Sequence, residues 1–203
     1  MEEPIQSLSR VCGTLKNLPY RFVIAGLILL AHLSIGLNLF VVSPLLPLII
    51  EEYQATSTTA GLLIAMSLLV AAAFGLPGGA VIGRIGLRRV FTLGWLLVGL
   101  LVLSSWSANF PALLALRLGY GVGFAVILTA TGPLLMQWFP PKEVLILNSL
   151  NTAVISLGIA LSVSTAAPIA ALIGWQNALG FFGAVALTGA IGWAFFGRTN
   201  DAW

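Results

Sequence analysis

Long apolar runs separated by short polar breaks make up most of the chain. No Asp, Glu, Lys or Arg occurs in residues 22–50, 53–83, 90–116, 118–141 or 144–197. A membrane-crossing helix needs roughly 20 mainly apolar residues. The third run breaks at "SSWSANFP", Ser104–Pro111, where Ser, Asn and Pro favour a turn. The last run is long enough for two spans and carries a turn signal, "IGWQN", at Ile173–Asn177. The pattern therefore predicts six helices, over 22–49, 58–83, 90–106, 111–137, 145–173 and 177–197. Short loops make sequential helices antiparallel neighbours. The expected fold is all-α: a polytopic bundle over 21–198, preceded by a segment at 1–20 and followed by a tail at 199–203.

Composition moves the picture from greasy to membrane-embedded. Of the 203 residues 59% are hydrophobic and 7% charged, against about 25% charged in a soluble domain. The lipid bilayer is thus the first partner. The net charge of +3 is dispersed among apolar segments, which does not point to nucleic acid. The single cysteine, Cys12, excludes an internal disulfide. The first apolar run is too long for a signal-peptide core and reads as a retained helix.

The cations fall on one side. Arg10, Lys16 and Arg21 precede the first span, and Arg84, Arg88 and Arg89 separate the second from the third. Lys142 separates the fourth from the fifth, and Arg198 follows the sixth. The opposite side holds Glu51 and Glu52 and no Lys or Arg. The positive-inside rule places both termini in the cytoplasm, N-in/C-in.

The two halves of the chain echo one another. "PGGAVIG" at 77–83 answers "PIAALIG" at 168–174, and "SPLL" at 43–46 answers "GPLL" at 132–135. Spans 2 and 5 run in opposite directions, so the expected relation is a 3+3 inverted repeat. Such repeats occur in secondary transporters, with the site between repeats near the midplane.

Four motifs then point to a family. "GAVIGRIGLRR", Gly79 to Arg89, lies between spans 2 and 3. "RLGYGVG", Arg117 to Gly123, lies in span 4, "WFPPKE" (138–143) links spans 4 and 5, and "GWQNALGFFG" (174–183) enters span 6. In this order the chain resembles the N-terminal half of a major facilitator superfamily transporter, in texture loosely the cyanate-permease-like or nitrate-type branches. The resemblance makes the first motif the cytoplasmic gating loop. Gly79, Arg84, Gly86 and Arg88 fall on its pattern, Gly83 stands where the family has Asp, and Leu87 replaces a basic residue. Gln176 stands in place of an Arg. The implied location is the cell membrane, of the bacterial cytoplasmic type. The small glycines at 75, 79 and 83, and at 119 and 123, are expected to let helices approach closely.

Candidate chemistry is sparse. Arg117 is the one ionic side chain well inside a span, six residues and about 9 Å past Pro111. A buried charge in a bilayer marks function by default and needs a partner. With no Asp or Glu in any span, that partner is a carbonyl or hydroxyl, another chain's carboxylate, or an anionic substrate. The competing reading is an arginine snorkelling to the interface. Tyr120, Gly121 and Thr131 share its face. The resemblance places this arginine at the central cavity, in substrate or proton handling.

His32 lies mid-span in the first helix and either relays protons or donates to a neighbouring carbonyl. Asn38 points away from it by about 240°. In span 5, Asn148, Asn151, Thr152, Ser156 and Ser162 share a broad polar arc that lines either a cavity or a helix interface. Pro44, Pro47, Pro133 and Pro168 can kink their helices. HExxH, GxSxG, paired intramembrane aspartates and GxxxxGK are all absent. That sequence leaves no basis for an enzyme, a metal site or a cofactor.

The resemblance implies twelve helices, and six are present. The expected function is a transporter half moving a small solute by alternating access, completed by a homodimer or a second six-helix half. An arginine without an intramembrane acid favours small anions. The alternatives are a truncated transporter chain or a non-transporting membrane subunit packed against another complex.

Overall fold

The computed structural model describes residues 18–199. Residues 1–17 and 200–203 lie outside it. They include most of the expected N-terminal segment and of the tail, with Arg10, Cys12 and Lys16.

Among the described residues every regular element is helical: α1 (Leu18–Leu39), a 3₁₀ turn (Ser43–Leu45), α2 (Leu46–Tyr53), α3 (Ser57–Ile85), α4 (Leu87–Gly99), a 3₁₀ stretch (Leu100–Trp106), α5 (Phe110–Trp138), α6 (Pro141–Ile173) and α7 (Trp175–Phe196). Six membrane spans result: α1 with α2, α3, α4 with its 3₁₀ extension, α5, α6 and α7. The expected span number holds, with two differences inside the spans. The first span is not one helix over 22–49. Pro44 has no N–H to continue the ladder, so the chain passes through a 3₁₀ turn and restarts with Pro47 at the head of α2. The outer part of the third span is 3₁₀ rather than α. Pro133 and Pro168, by contrast, sit within continuous helices.

Side-chain caps start two spans. Thr56 accepts from the Thr59 N–H at 3.1 Å, and Asn109 accepts from the Ala112 N–H at 2.9 Å. Both satisfy donors that a helix start leaves unpaired. Spans 2 and 3, and spans 5 and 6, instead meet at a single glycine. Gly86 has φ 87°, ψ 147° and Gly174 has φ 84°, ψ 151°. Each amide bonds the carbonyl four residues back, at 3.0 and 2.9 Å, and each carbonyl accepts from four residues on, at 3.1 and 3.0 Å. A side chain at that φ would be strained. This shared turn pairs Gly86 with Gly174, three residues away from the register given by the Pro77–Pro168 match.

Two apolar cores fill the bundle. One, at the basic end, joins Ile24, Val90, Trp95, Leu135, Val144 and Trp193. The other, at the opposite end, joins Val41, Ile49, Leu63, Leu113, Trp175 and Ala178. At the basic end Arg21 pairs with Glu143 at 3.5 Å, and Arg198 lies 5.0 Å from the Tyr20 ring. The opposite end is closed by Glu52, which accepts from the Trp175 indole at 2.5 Å and the Gln176 amide at 3.1 Å. Beside it the Tyr53 hydroxyl donates to the Ser107 carbonyl at 3.0 Å.

Candidate functional site around Arg117

The break after Leu39 creates the site's main acceptor. Carbonyls at a helix end have no intrahelical partner, and that of Asn38 is taken from across the bundle by Arg117 Nη1 at 2.6 Å. Arg117 is 1% exposed. It is held between spans 1, 2 and 4 and does not snorkel. Its carbonyl accepts from the Ser67 hydroxyl at 3.1 Å, and its guanidinium stands 5.9 Å from the centre of the Tyr120 ring. Tyr120, one turn on, donates its hydroxyl to the Ile35 carbonyl at 2.8 Å. Span 4 is thereby bound to span 1 at two levels.

The site keeps spare polarity. Arg117 Nε is buried with no partner, and so is Asn38 Oδ1. Asn38 Nδ2 donates to the Ser34 carbonyl at 2.9 Å and to the Phe182 carbonyl of span 6 at 3.0 Å. Each described span is free of carboxylates between its ends. The arginine's charge therefore has no counter-ion in the bundle. The arrangement holds a desolvated cation with an unused N–H donor, and near the same break in span 1 an amide oxygen with an unused acceptor.

The other predicted residues divide. His32 is buried, and its Nδ1 lies 2.8 Å from the Ile28 carbonyl of its own helix. A carbonyl only accepts, so Nδ1 carries the proton. His32 and Asn38 have separate partners, as their angular spacing requires. The span 5 arc splits: Asn151 and Ser162 are buried, whereas Asn148, Thr152 and Ser156 are exposed on the outer surface of the bundle. Thr152 and Ser156 bond back to carbonyls of their own helix, at 3.2 Å each. Asn151 is 4% exposed with both amide atoms unpartnered. Gly121 abuts the Ser67 backbone of span 2, and Thr131 bonds its own helix at Ile127.

The gating-loop residues stand apart from this site. Gly79, Gly83, Arg84, Gly86 and Arg88 are all exposed. A methyl group added at residue 75, 79 or 83 would meet nothing within 4 Å, so the missing side chains are not what lets a helix approach here, contrary to the expectation. The Gly75 carbonyl does accept from the Thr129 hydroxyl of span 4 at 3.3 Å. Gly123 does bring helices together, against Gly94 of span 3. Sequence reasoning missed Ser34, Ser67 and the Glu52–Trp175 bond. Only the "GWQN" motif gave a signal for the last.

A six-span, all-helical bundle with a lone buried cation is the frame of a membrane transporter. The chain belongs to the Major Facilitator Superfamily, whose family model matches residues 28–202. This is a family of transporters rather than enzymes. The chain is 29% identical over 165 residues to "Probable nitrate transporter NarT" of Staphylococcus carnosus, covering 79% of the chain and 41% of that protein. It is 27% identical to "Probable L-galactonate transporter" of Escherichia coli (74% and 34% covered) and 26% identical to "Probable sulfoacetate transporter SauU" of Cupriavidus necator (87% and 41%). In fold it is similar to the proton:xylose symporter XylE, with TM-score 0.74 and 19% identity over 86% of this chain and 44% of that one. The chain thus spans 34–41% of the length of these curated relatives.

Proposed function

We propose that the chain is one six-helix half of a secondary transporter that carries a small anion by alternating access. A second six-helix bundle, a second copy or a separate partner, completes the path. The observation that carries the reading is Arg117: a guanidinium buried in the bundle, without a counter-ion, with its Nε donor unused. Nitrate, galactonate and sulfoacetate, the solutes named for the relatives, are all anions. Such a ligand would neutralise the charge and use the free donors of the interior, Arg117 Nε and Asn151 Nδ2, while the unpartnered Oδ1 of Asn38 can accept from a hydroxyl of the solute.

The need for a second bundle is supported by spans 2 and 5, the most exposed of the six. Span 5 presents Ser149, Ala153, Ser156 and Ala160 outward, and small residues allow close helix packing where lipid gives no hydrophobic drive. The full transporter's two halves would be related by an axis along the membrane normal. The matching turns at Gly86 and Gly174 support the inverted 3+3 relation within this half. The cations at one end support N-in/C-in placement in a bacterial cytoplasmic membrane.

The test is uptake of labelled nitrate, galactonate and sulfoacetate into vesicles holding the full chain and the Arg117→Met variant. Uptake of at least one anion should fall at least about tenfold in the variant while membrane insertion is unchanged, since a hydrogen bond to a charged group contributes about 1.5–3 kcal/mol. Equal uptake by both proteins would remove Arg117 from the mechanism. One observation favours the alternative, a non-transporting subunit: Gly83 occupies the position where the resemblance places an acid. Uptake of no anion, with the chain recovered in a larger complex, would establish that alternative.

A further inference from the structure

The turn between spans 2 and 3 carries three arginines, and nothing in the bundle neutralises them. Arg84 stands in the last turn of α3, and Arg88 and Arg89 in the first turn of α4. All three are exposed, and none has an ion pair or a stacked ring among the described residues. Among the described residues the one ion pair at this end, Arg21 with Glu143, occupies the one acid found there. Gly86 is the reason the cations are so close. Its positive φ joins the two helices without a loop, and buried Leu87 anchors the turn in the core.

An apolar row starts at the same place. Leu93, Leu96 and Leu100 follow Arg89 at helical spacing on one face of span 3 and are 46%, 49% and 39% exposed. The row continues through Leu103 to Trp106, itself 76% exposed, at the far end of the span. From Arg89 to Leu100 the rise is about 16 Å, close to one leaflet of a hydrocarbon core about 30 Å thick. A cationic head above a leaflet-long leucine face has the shape of a phospholipid. A soluble anion or an acidic peptide would have no use for the leucines.

We propose that this turn and span 3 form a docking site for an anionic phospholipid. Arg84, Arg88 and Arg89 take the headgroup phosphate and its negative charge, and Leu93, Leu96 and Leu100 take an acyl chain. The site selects anionic over zwitterionic headgroups because no carboxylate stands among the arginines. Gly83, one residue before them, is exposed, and a Cβ there would meet nothing within 4 Å, so a carboxylate fits beside the arginines. The proposal is independent of what the protein carries.

Native mass spectrometry of the full chain, titrated with phosphatidylglycerol or phosphatidylcholine, tests it. Phosphatidylglycerol should bind more tightly, and its affinity should fall about fivefold for each arginine changed to Gln. Gly83→Asp, which leaves the arginines in place, should weaken it by about as much as losing one. The double change Leu93→Ala, Leu96→Ala should also weaken it. Equal affinity for the two lipids, or unchanged phosphatidylglycerol binding in the Gln variants, would overturn the proposal. So would loss of the bound lipid to inorganic phosphate but not to chloride at equal ionic strength, or indifference to the leucine change. Those two outcomes would assign the patch to a soluble anion or an acidic protein segment.

Discussion

Single residues in this bundle do work that their type alone does not announce. Arg117 is both a tie and a charge: one nitrogen clamps span 4 to the broken end of α1, and another is left unused. Asn151 is the complementary case. A buried amide with neither atom bonded costs stability, about 1–3 kcal/mol. Its retention in the core fits a role in solute contact. Asn151→Leu should therefore keep or raise the melting temperature in detergent while lowering uptake several-fold. A lower melting temperature with intact uptake would make Asn151 a packing residue.

At the scale of elements, close approach is set by a few glycines. Spans 1 and 5 cross where Gly36 meets the Ile155 backbone and Gly158 meets span 1. A Cβ at residue 158 would stand 2.7 Å from the Leu33 carbonyl oxygen and 2.8 Å from the Leu37 nitrogen. Gly158→Leu should thus separate the two helices and abolish the folded monomer in detergent, as judged by gel filtration. Gly79→Ala should not lower the melting temperature and should raise it slightly, because its added methyl touches nothing and alanine favours the helix. The turns respond differently again. Gly86→Ala and Gly174→Ala should each cost about 1–3 kcal/mol of backbone strain, read as lowered melting temperatures, because positive φ with ψ near 150° is open essentially to glycine alone. The Glu52 bonds tie the end of span 1 to the start of span 6. Glu52→Leu should lower the melting temperature by removing both.

For the whole molecule, the faces left over by internal packing decide assembly. Spans 1, 3, 4 and 6 supply much of the two cores, while spans 2 and 5 turn most of their surface outward. If a second copy supplies the other half, Ala160→Cys in a Cys12→Ser background should crosslink into a covalent dimer in membranes. Leu93→Cys on span 3 should not. Crosslinking through Leu93→Cys alone would move the interface to the opposite face. A strictly monomeric chain in mild detergent and in membranes would leave a separate partner as the second half.

What the sequence determined by itself was the number of spans, their order and the end at which the cations gather. These follow from a transfer energy that accumulates over about 20 residues, so long uncharged runs betray it whatever their partners. The family motifs were legible for the same reason: they are local. Tertiary structure decided the rest. The arc in span 5 was too broad to say which polar residues face inward, and only packing against span 1 buried Asn151 while leaving Asn148 and Thr152 outside. The glycines of span 2 had the right spacing, but no atom of another helix stands where their side chains would begin. Arg117 could have bonded a carbonyl, a hydroxyl or another chain. The choice fell to the Asn38 carbonyl, which is free because α1 ends at Leu39, ahead of the Pro44 turn in the same span. Which groups meet across a bundle depends on where other helices end, and local pattern does not encode that.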